Sequence, residues 1–158
     1  MWCELDRELP EPVWPDGISL RTFEPSDAEA VHALLDEAYR GWDDLYVPIA
    51  HEDWVRTMVG DLEFDPKVWF LAERDGVLAG CSLHWESGWL KDIAVREPER
   101  GHGLGRALVL TGLHAFAARG VLRVGLKVNA ENPTGARKLY ESVGYTVETL
   151  DERWARKV

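Results

Sequence analysis

Long apolar runs are missing from this chain: no stretch approaches the ~18 consecutive apolar residues of a membrane span, although 46% of its 158 residues are hydrophobic. The start, Met1-Trp-Cys-Glu-Leu-Asp-Arg-Glu-Leu9, has neither the basic end nor the apolar centre of a signal peptide. A cytoplasmic protein with no membrane partner is expected. Cysteine is scarce as well. Cys3 and Cys81 cannot build a disulfide framework, and both read as free thiols. Positive charge is the third shortage, with 18 Lys and Arg against 28 Asp and Glu and a net charge of -10. That balance is uneven. Residues 1–66 hold 17 acids and 4 bases, whereas residues 67–158 hold 11 acids and 14 bases. The acidic half repels nucleic acid and attracts a cationic substrate, so no nucleic-acid partner is expected. Internal repeats and low-complexity segments are absent too. The length suits one domain with a substantial core, at 18–158, after an acidic arm at 1–17.

What is present is concentrated around one glycine-rich stretch. Ile93-Ala-Val95 is a strand; Arg100-Gly-His-Gly-Leu-Gly-Arg106 then runs straight into a helix. Gly101, Gly103 and Gly105 allow sharp turns and close approach of a ligand to the backbone. The following helix opens with amides that lack intrahelical partners, and its dipole favours an anion. Arg100, His102 and Arg106 add charge at the same mouth. A phosphate ester is the ligand these features suit. Two nucleotide readings fail, however: the loop lacks the Gly-Lys-Ser/Thr of a P-loop, and G-x-G-x-x-G is broken at Arg106 from Gly101 and at Leu108 from Gly103.

Arg100-x-x-Gly103-x-Gly105 resembles the pyrophosphate loop of the GNAT superfamily of acyl-CoA-dependent N-acyltransferases. A second block, Val128-Asn-Ala-Glu-Asn-Pro-Thr-Gly-Ala-Arg-Lys-Leu-Tyr-Glu-Ser-Val-Gly-Tyr145, is similar to that superfamily's strand, asparagine, helix, tyrosine and glycine-aromatic ending. The resemblance implies acetyl-CoA as cosubstrate, with no metal. It puts the pyrophosphate on Arg100, Gly101, His102, Gly103, Leu104, Gly105 and Arg106, and the pantetheine arm along Ile93, Ala94 and Val95. Asn129 and Asn132 would contact that arm, and Tyr140 would be the general acid. Histone-type members carry a glutamate on the fourth strand, where this chain has Trp89, which argues against that substrate class. Relatives that dimerise do so through edge or C-terminal strands, and Arg153 to Val158 offers such a strand, so a homodimer and a monomer both stay open.

Periodicity gives the rest of the expected fold. Residues 1–17 carry Pro10, Pro12 and Pro15 and read as an extended arm, with Trp2 and Trp14 packing on the domain or on a second subunit. Ile18 to Phe23 alternates as a strand, and Ser26 with Glu29 forms a capping box before a helix to Tyr39. A second short helix spans His51 to Val59. Val68 to Ala72 and Val77 to Trp85 pair across Asp75-Gly76, and Trp89 to Val95 completes a meander. Leu104 to Ala118 is helical and stops at Gly120. Val121 to Val128 is a strand; Asn132 and Pro133 start the next helix, which Gly144 closes. Tyr145 to Thr149 and Arg153 to Val158 make a final strand pair. The predicted class is α/β (α+β), a single mixed sheet flanked by helices in the order β-α-α-β-β-β-α-β-α-β-β.

Acyl transfer to an amine also needs an oxyanion donor and a base. The Val95 amide suits the first role. For the second, Glu86 is placed in the catalytic set, with His84, Asp92, Asp43, Asp44, His51 and a water chain as alternatives. Trp42, Tyr46 and Trp54 suggest cation-π contact with a cationic amine acceptor, either a small molecule or a peptide or protein amino group. The expected function is N-acetyl transfer by direct attack; the competing reading is a module that holds acyl-CoA without turnover, and a longer acyl donor is also open.

Overall fold

Asp75 (φ 52°) and Gly76 (φ 76°) are both left-handed, the turn that joins two twisted antiparallel strands with a two-residue loop. Around it the chain builds β1 (Trp2–Glu4), β2 (Ile18–Thr22), α1 (Ala28–Arg40), α2 (His51–Met58), β3 (Phe64–Arg74) and β4 (Val77–Trp85). β5 (Trp89–Val95), α3 (Leu104–Ala118), β6 (Arg123–Leu126) and α4 (Ala136–Ser142) follow. This computed structural model describes residues 1–41, 46–129 and 132–149. The six strands form one sheet in the order β1-β6-β5-β4-β3-β2. It is mixed, because β5 and β6 run parallel while the other neighbours are antiparallel. Among the described residues no helix is long and apolar enough to cross a membrane.

Both faces of the sheet are covered, which explains the unbroken apolar run Val68-Trp-Phe-Leu-Ala72. Val68, Phe70 and Ala72 pack with α3, while Trp69 and Leu71 pack with α1 and α2. Alternation survives, but each side meets a core. Trp69 is fully buried, and its indole N–H donates to the His84 carbonyl at 3.2 Å. Such side chains contribute roughly 1.5–3 kcal/mol each through burial.

His84 itself lies inside this core. Its Nδ1 sits 3.1 Å from the Val68 carbonyl, so that nitrogen carries the proton and donates. The other edge of the ring fills the space over Gly112, where a Cβ would come within 2.4 Å of Nε2. His84 is therefore not a base for an acceptor. Burial lowers its pKa from 6.5 to about 4, because a charged imidazole there would be desolvated. The unfolded chain takes up a proton near pH 6.5 and the folded one near pH 4. His84 thus makes its full contribution to stability above about pH 6.5 and loses up to ~3 kcal/mol of it by pH 4. Urea midpoints measured across that window are expected to fall less steeply for His84→Gln than for the native sequence; identical slopes would remove His84 as a cause.

Several boundaries differ from the sequence-based expectations. The arm's first residues are a sheet strand: Trp2, Cys3 and Glu4 pair with Gly125, Val124 and Arg123. Trp2 packs edge-on against Trp89 at 5.7 Å, with the Arg123 guanidinium 4.0 Å from its ring centroid. The entry to α1 is closed by Asp27 rather than by a Ser26–Glu29 box. Its carboxylate accepts the Glu24 amide and both terminal nitrogens of Arg21. α4 begins at Ala136 after Gly135 (φ 75°), not at Asn132. The Asn132 Oδ1 instead accepts the Thr134 amide and hydroxyl. Of the expected final strand pair, Tyr145 to Thr149 makes one bridge, Thr146 to Trp2. Arg153 to Val158 lies outside the described residues.

Candidate functional site

β5 and β6 stay paired for two residues, Trp89 with Gly125 and Leu90 with Leu126, and then part. The gap is a cleft of about 380 Å³, lined on one side by β5 from Leu90 to Val95 and on the other by residues 126–129, 132 and 134–136, with Leu139 and Tyr140. The loop at 99–106 closes one end, and Ala38 and Tyr39 of α1 reach the other.

A bulge decides how β5 presents itself to this cleft. Leu83 faces Asp92, yet the next residue, His84, faces Leu90, so Lys91 is an extra residue in β5. One added residue reverses the alternation beyond it. Leu90 packs with the α3 side, whereas Asp92 and Ala94 turn toward α1 and α2. The backbone reverses with the side chains. The Arg96 amide donates to Ala79 of the β4 side at 2.9 Å, so the alternate amides of Ile93 and Val95 point toward the β6 side, where no strand pairs with them among the described residues.

The loop supplies an anion cradle. Gly101 (φ 80°) and Gly103 (φ 86°) are left-handed, and an added Cβ at either would meet nothing within 4 Å, so conformation rather than space requires glycine there. Gly103 caps the N-terminus of α3 with no side-chain hydrogen bond, leaving the first-turn amides for a ligand. The Arg100 Nε–H donates to the Val95 carbonyl at 2.9 Å, fastening the loop to the end of β5. Glu99, which lines the cleft beside this loop, is held bidentately by Arg74, whose third nitrogen reaches the Asp16 carbonyl. Of the residues expected to hold a cofactor, Ile93, Ala94, Val95, Arg100, Gly101, Gly103, Leu104, Gly105, Arg106, Asn129 and Asn132 line the cleft; His102 does not and is exposed.

Tyr140 of α4 lines the same cleft, with its ring against Tyr145 at 5.8 Å. Burial, and then the charge of Asp92, hold its phenol well above the ordinary value, so it stays protonated. Asp92 accepts the Tyr39 hydroxyl at Oδ1, 2.6 Å away, and its side chain is 13% exposed. Burial raises the Asp92 carboxyl above the usual carboxylate range, opposed by Lys91 and by the Tyr39 bond. Tyr39 is thus a cleft residue that periodicity had marked only as the end of a helix.

Glu86 is not brought to this cleft. It sits in the turn before β5, where its amide donates to the Glu63 carbonyl, at the end of the strand away from Val95. His51 is also elsewhere: its Nδ1 lies 3.1 Å from that of His32. Trp54 is core rather than a cation-binding surface, buried among Val31, Leu35 and Met58. Tyr46 stacks on Tyr39 at 5.5 Å and donates to Asp36 at 2.8 Å. Trp42, Asp43 and Asp44 lie outside the described residues.

Residues 28–145 match the model of the acetyltransferase (GNAT) family. The chain belongs to that family. Mycothiol acetyltransferase of Thermobispora bispora is 38% identical over 172 aligned positions, which cover 96% of this chain and 54% of that protein. A GCN5-related N-acetyltransferase from Sphaerobacter thermophilus superposes with a TM-score of 0.73 at 34% identity, covering 90% of this chain and 45% of that one. This GNAT chain therefore spans about half the length of both. At 16% identity and a TM-score of 0.65, AAC(6')-Iy, solved with a bisubstrate analogue of coenzyme A and acetylneamine, shares the fold over 89% of this chain and 99% of its own.

Proposed function

We propose that this GNAT domain moves an acetyl group from acetyl-CoA to a primary amine by direct attack. The parting of β5 from β6 after Leu90, directly beside the loop that opens α3, carries the reading. It leaves the edge amides of Ile93 and Val95 available to an extended polar chain and the first-turn amides of α3 available to a diphosphate. Arg100 to Arg106, without His102, hold the coenzyme's phosphates; Asn129 and Asn132 flank its arm. The Val95 amide stabilises the oxyanion, a role worth about 3 kcal/mol when well aimed. Tyr140 is the general acid, hydrogen bonding to the departing sulfur and yielding its proton late, since a phenol is intrinsically a weaker acid than a thiol. The acceptor is cationic: Asp92 and Tyr39 line α1's end of the cleft, Tyr46 stacks on Tyr39, and the acids of residues 1–66 supply the long-range field. The relatives named mycothiol acetyltransferase favour an amine on a small molecule over one on a protein.

Calorimetry with acetyl-CoA, followed by thiol release over a panel of amino sugars, free α-amine peptides and lysine side chains, tests the reading. Binding with release on at least one amine is expected. Binding with no release on any would identify a module that holds acyl-CoA without turnover, and absence of binding would end the assignment.

A further inference from the structure

Glu86 lies outside the cleft, and the bulge at Lys91 turns a different carboxylate inward. We infer that Asp92 is the group that takes the proton from the incoming ammonium, and that Tyr39 is its positioning residue, holding the carboxylate through Oδ1. The inference rests on the acetyl-transfer reading above and adds the residue that makes the amine reactive.

Geometry selects Asp92. It is the one Asp or Glu side chain among the described residues that both lines the cleft and faces the α1 side; Glu99, the other carboxylate there, is tied to Arg74. The Tyr39 hydroxyl occupies one oxygen. The other, Oδ2, has Lys91 Nζ at 3.9 Å, beyond hydrogen-bond range. An ammonium can therefore dock on Oδ2 while Tyr39 keeps the carboxyl plane fixed.

The proton and electron balance closes with the residues present. Asp92 takes one proton from the ammonium, and the freed nitrogen pair forms a bond to the acetyl carbonyl carbon. The carbon–sulfur bond breaks with its electron pair on sulfur, which takes the Tyr140 hydroxyl proton. The nitrogen still carries one surplus proton, and this returns to the Tyr140 oxygen. Asp92 then releases its own proton to solvent. One amide, one free thiol and one proton result.

The groups facing Asp92 from every side are Tyr39 of α1, Tyr46 beyond it, Cys81 of β4, Tyr140 of α4 and Lys91 of its own strand. Burial pushes Cys81 and Tyr46 up to about 12 and holds Tyr39 and Tyr140 above their ordinary values. None of the four ionises in an assay from pH 5.5 to 9.5. An acidic limb shared by all amines, whatever their own basicity, belongs to Asp92 if Asp92→Asn removes it.

The test uses the full chain, acetyl-CoA and the amine panel, reading kcat/KM against pH with acetyl-CoA affinity measured in parallel. Asp92→Asn is expected to lower kcat/KM by about 10- to 100-fold and to abolish the shared limb, with acetyl-CoA affinity kept. Tyr39→Phe is expected to cost less rate and to move the limb to higher pH, because its hydrogen bond favours the charged carboxylate. A merely structural role for Tyr39 would lower the rate without moving the limb. Should Asp92→Asn keep the native rate and profile, the inference is overturned while acetyl transfer stands. Should Asp92→Asn fail to fold, as lost acetyl-CoA binding would reveal, an unmoved limb in Tyr39→Phe overturns it instead. If the native chain binds acetyl-CoA and acetylates no amine, the transferase reading falls and this inference with it.

Discussion

Tyr140→Phe is expected to cut turnover by about 100- to 1,000-fold while leaving acetyl-CoA affinity within a factor of two. The substitution removes one oxygen and keeps the ring, which packs against Tyr145 and closes the cleft at α4. Folding should hardly change. On the proposed mechanism the loss is that of the proton for the departing sulfur, and positioned acids contribute factors of this size, equivalent to about 3–4 kcal/mol of barrier. Burial beside Asp92 keeps the phenol protonated at any pH an assay would use, so the loss should be as large at pH 9 as at pH 7. Single-turnover rates with a saturating amine are the measurement. A loss under fivefold would mean that the thiolate departs without that hydroxyl.

The second large effect concerns the cradle. Gly105→Glu is expected to weaken acetyl-CoA binding by roughly 100-fold, whereas Gly105→Ala should be mild. An added Cβ at Gly105 would lie 3.7 Å from Val95 Cγ2 and 3.9 Å from Leu139 Cδ2, ordinary contacts that point it into the gap between β5 and α4. Alanine fits there. A glutamate carries its charge among the same first-turn amides that would receive a diphosphate; like charges ~4 Å apart repel by about 4 kcal/mol near a protein surface, enough to cover the ~2.8 kcal/mol of a 100-fold loss. Calorimetric titration with acetyl-CoA separates the two variants. Equal affinities for both would move the phosphates away from this turn.

Much of the architecture was legible because its signals are local. Gly103 and Gly120 bracket α3, and the helix runs from Leu104 to Ala118 between them. Asp75-Gly76 and Gly88 punctuate the meander, so β4 and β5 emerge with the expected bounds. The loop and Tyr140 were legible through motif spacing, since a backbone cradle demands glycine at set positions. Other features depend on partners that a sequence does not display. Trp2–Glu4 is too short to show a period, and becomes a strand only because β6 offers an edge. The extra residue at Lys91 is a property of two strands read against each other; without it Asp92 would share the face of Leu90, and nothing in residues 89–95 announces the reversal. Glu86 entered the catalytic set as a carboxylate at the end of β4, but it stands at the end of β5 away from Val95. His84, next to it, was claimed by the core once Gly112 left room above the sheet.

A sheet that comes apart after two residue pairs is mechanically a zipper left half open. β6 and α4 are fastened to the remainder through Trp89–Gly125, Leu90–Leu126 and their packing on α3, and a ligand reaching across the opening would act as the slider that draws the two halves shut. Occupancy would then be felt well beyond the cleft. Amides on β6 that never touch the ligand would exchange with solvent more slowly whenever it is present, so that the strength of the seam, and not merely the chemistry within it, would follow the supply of the coenzyme.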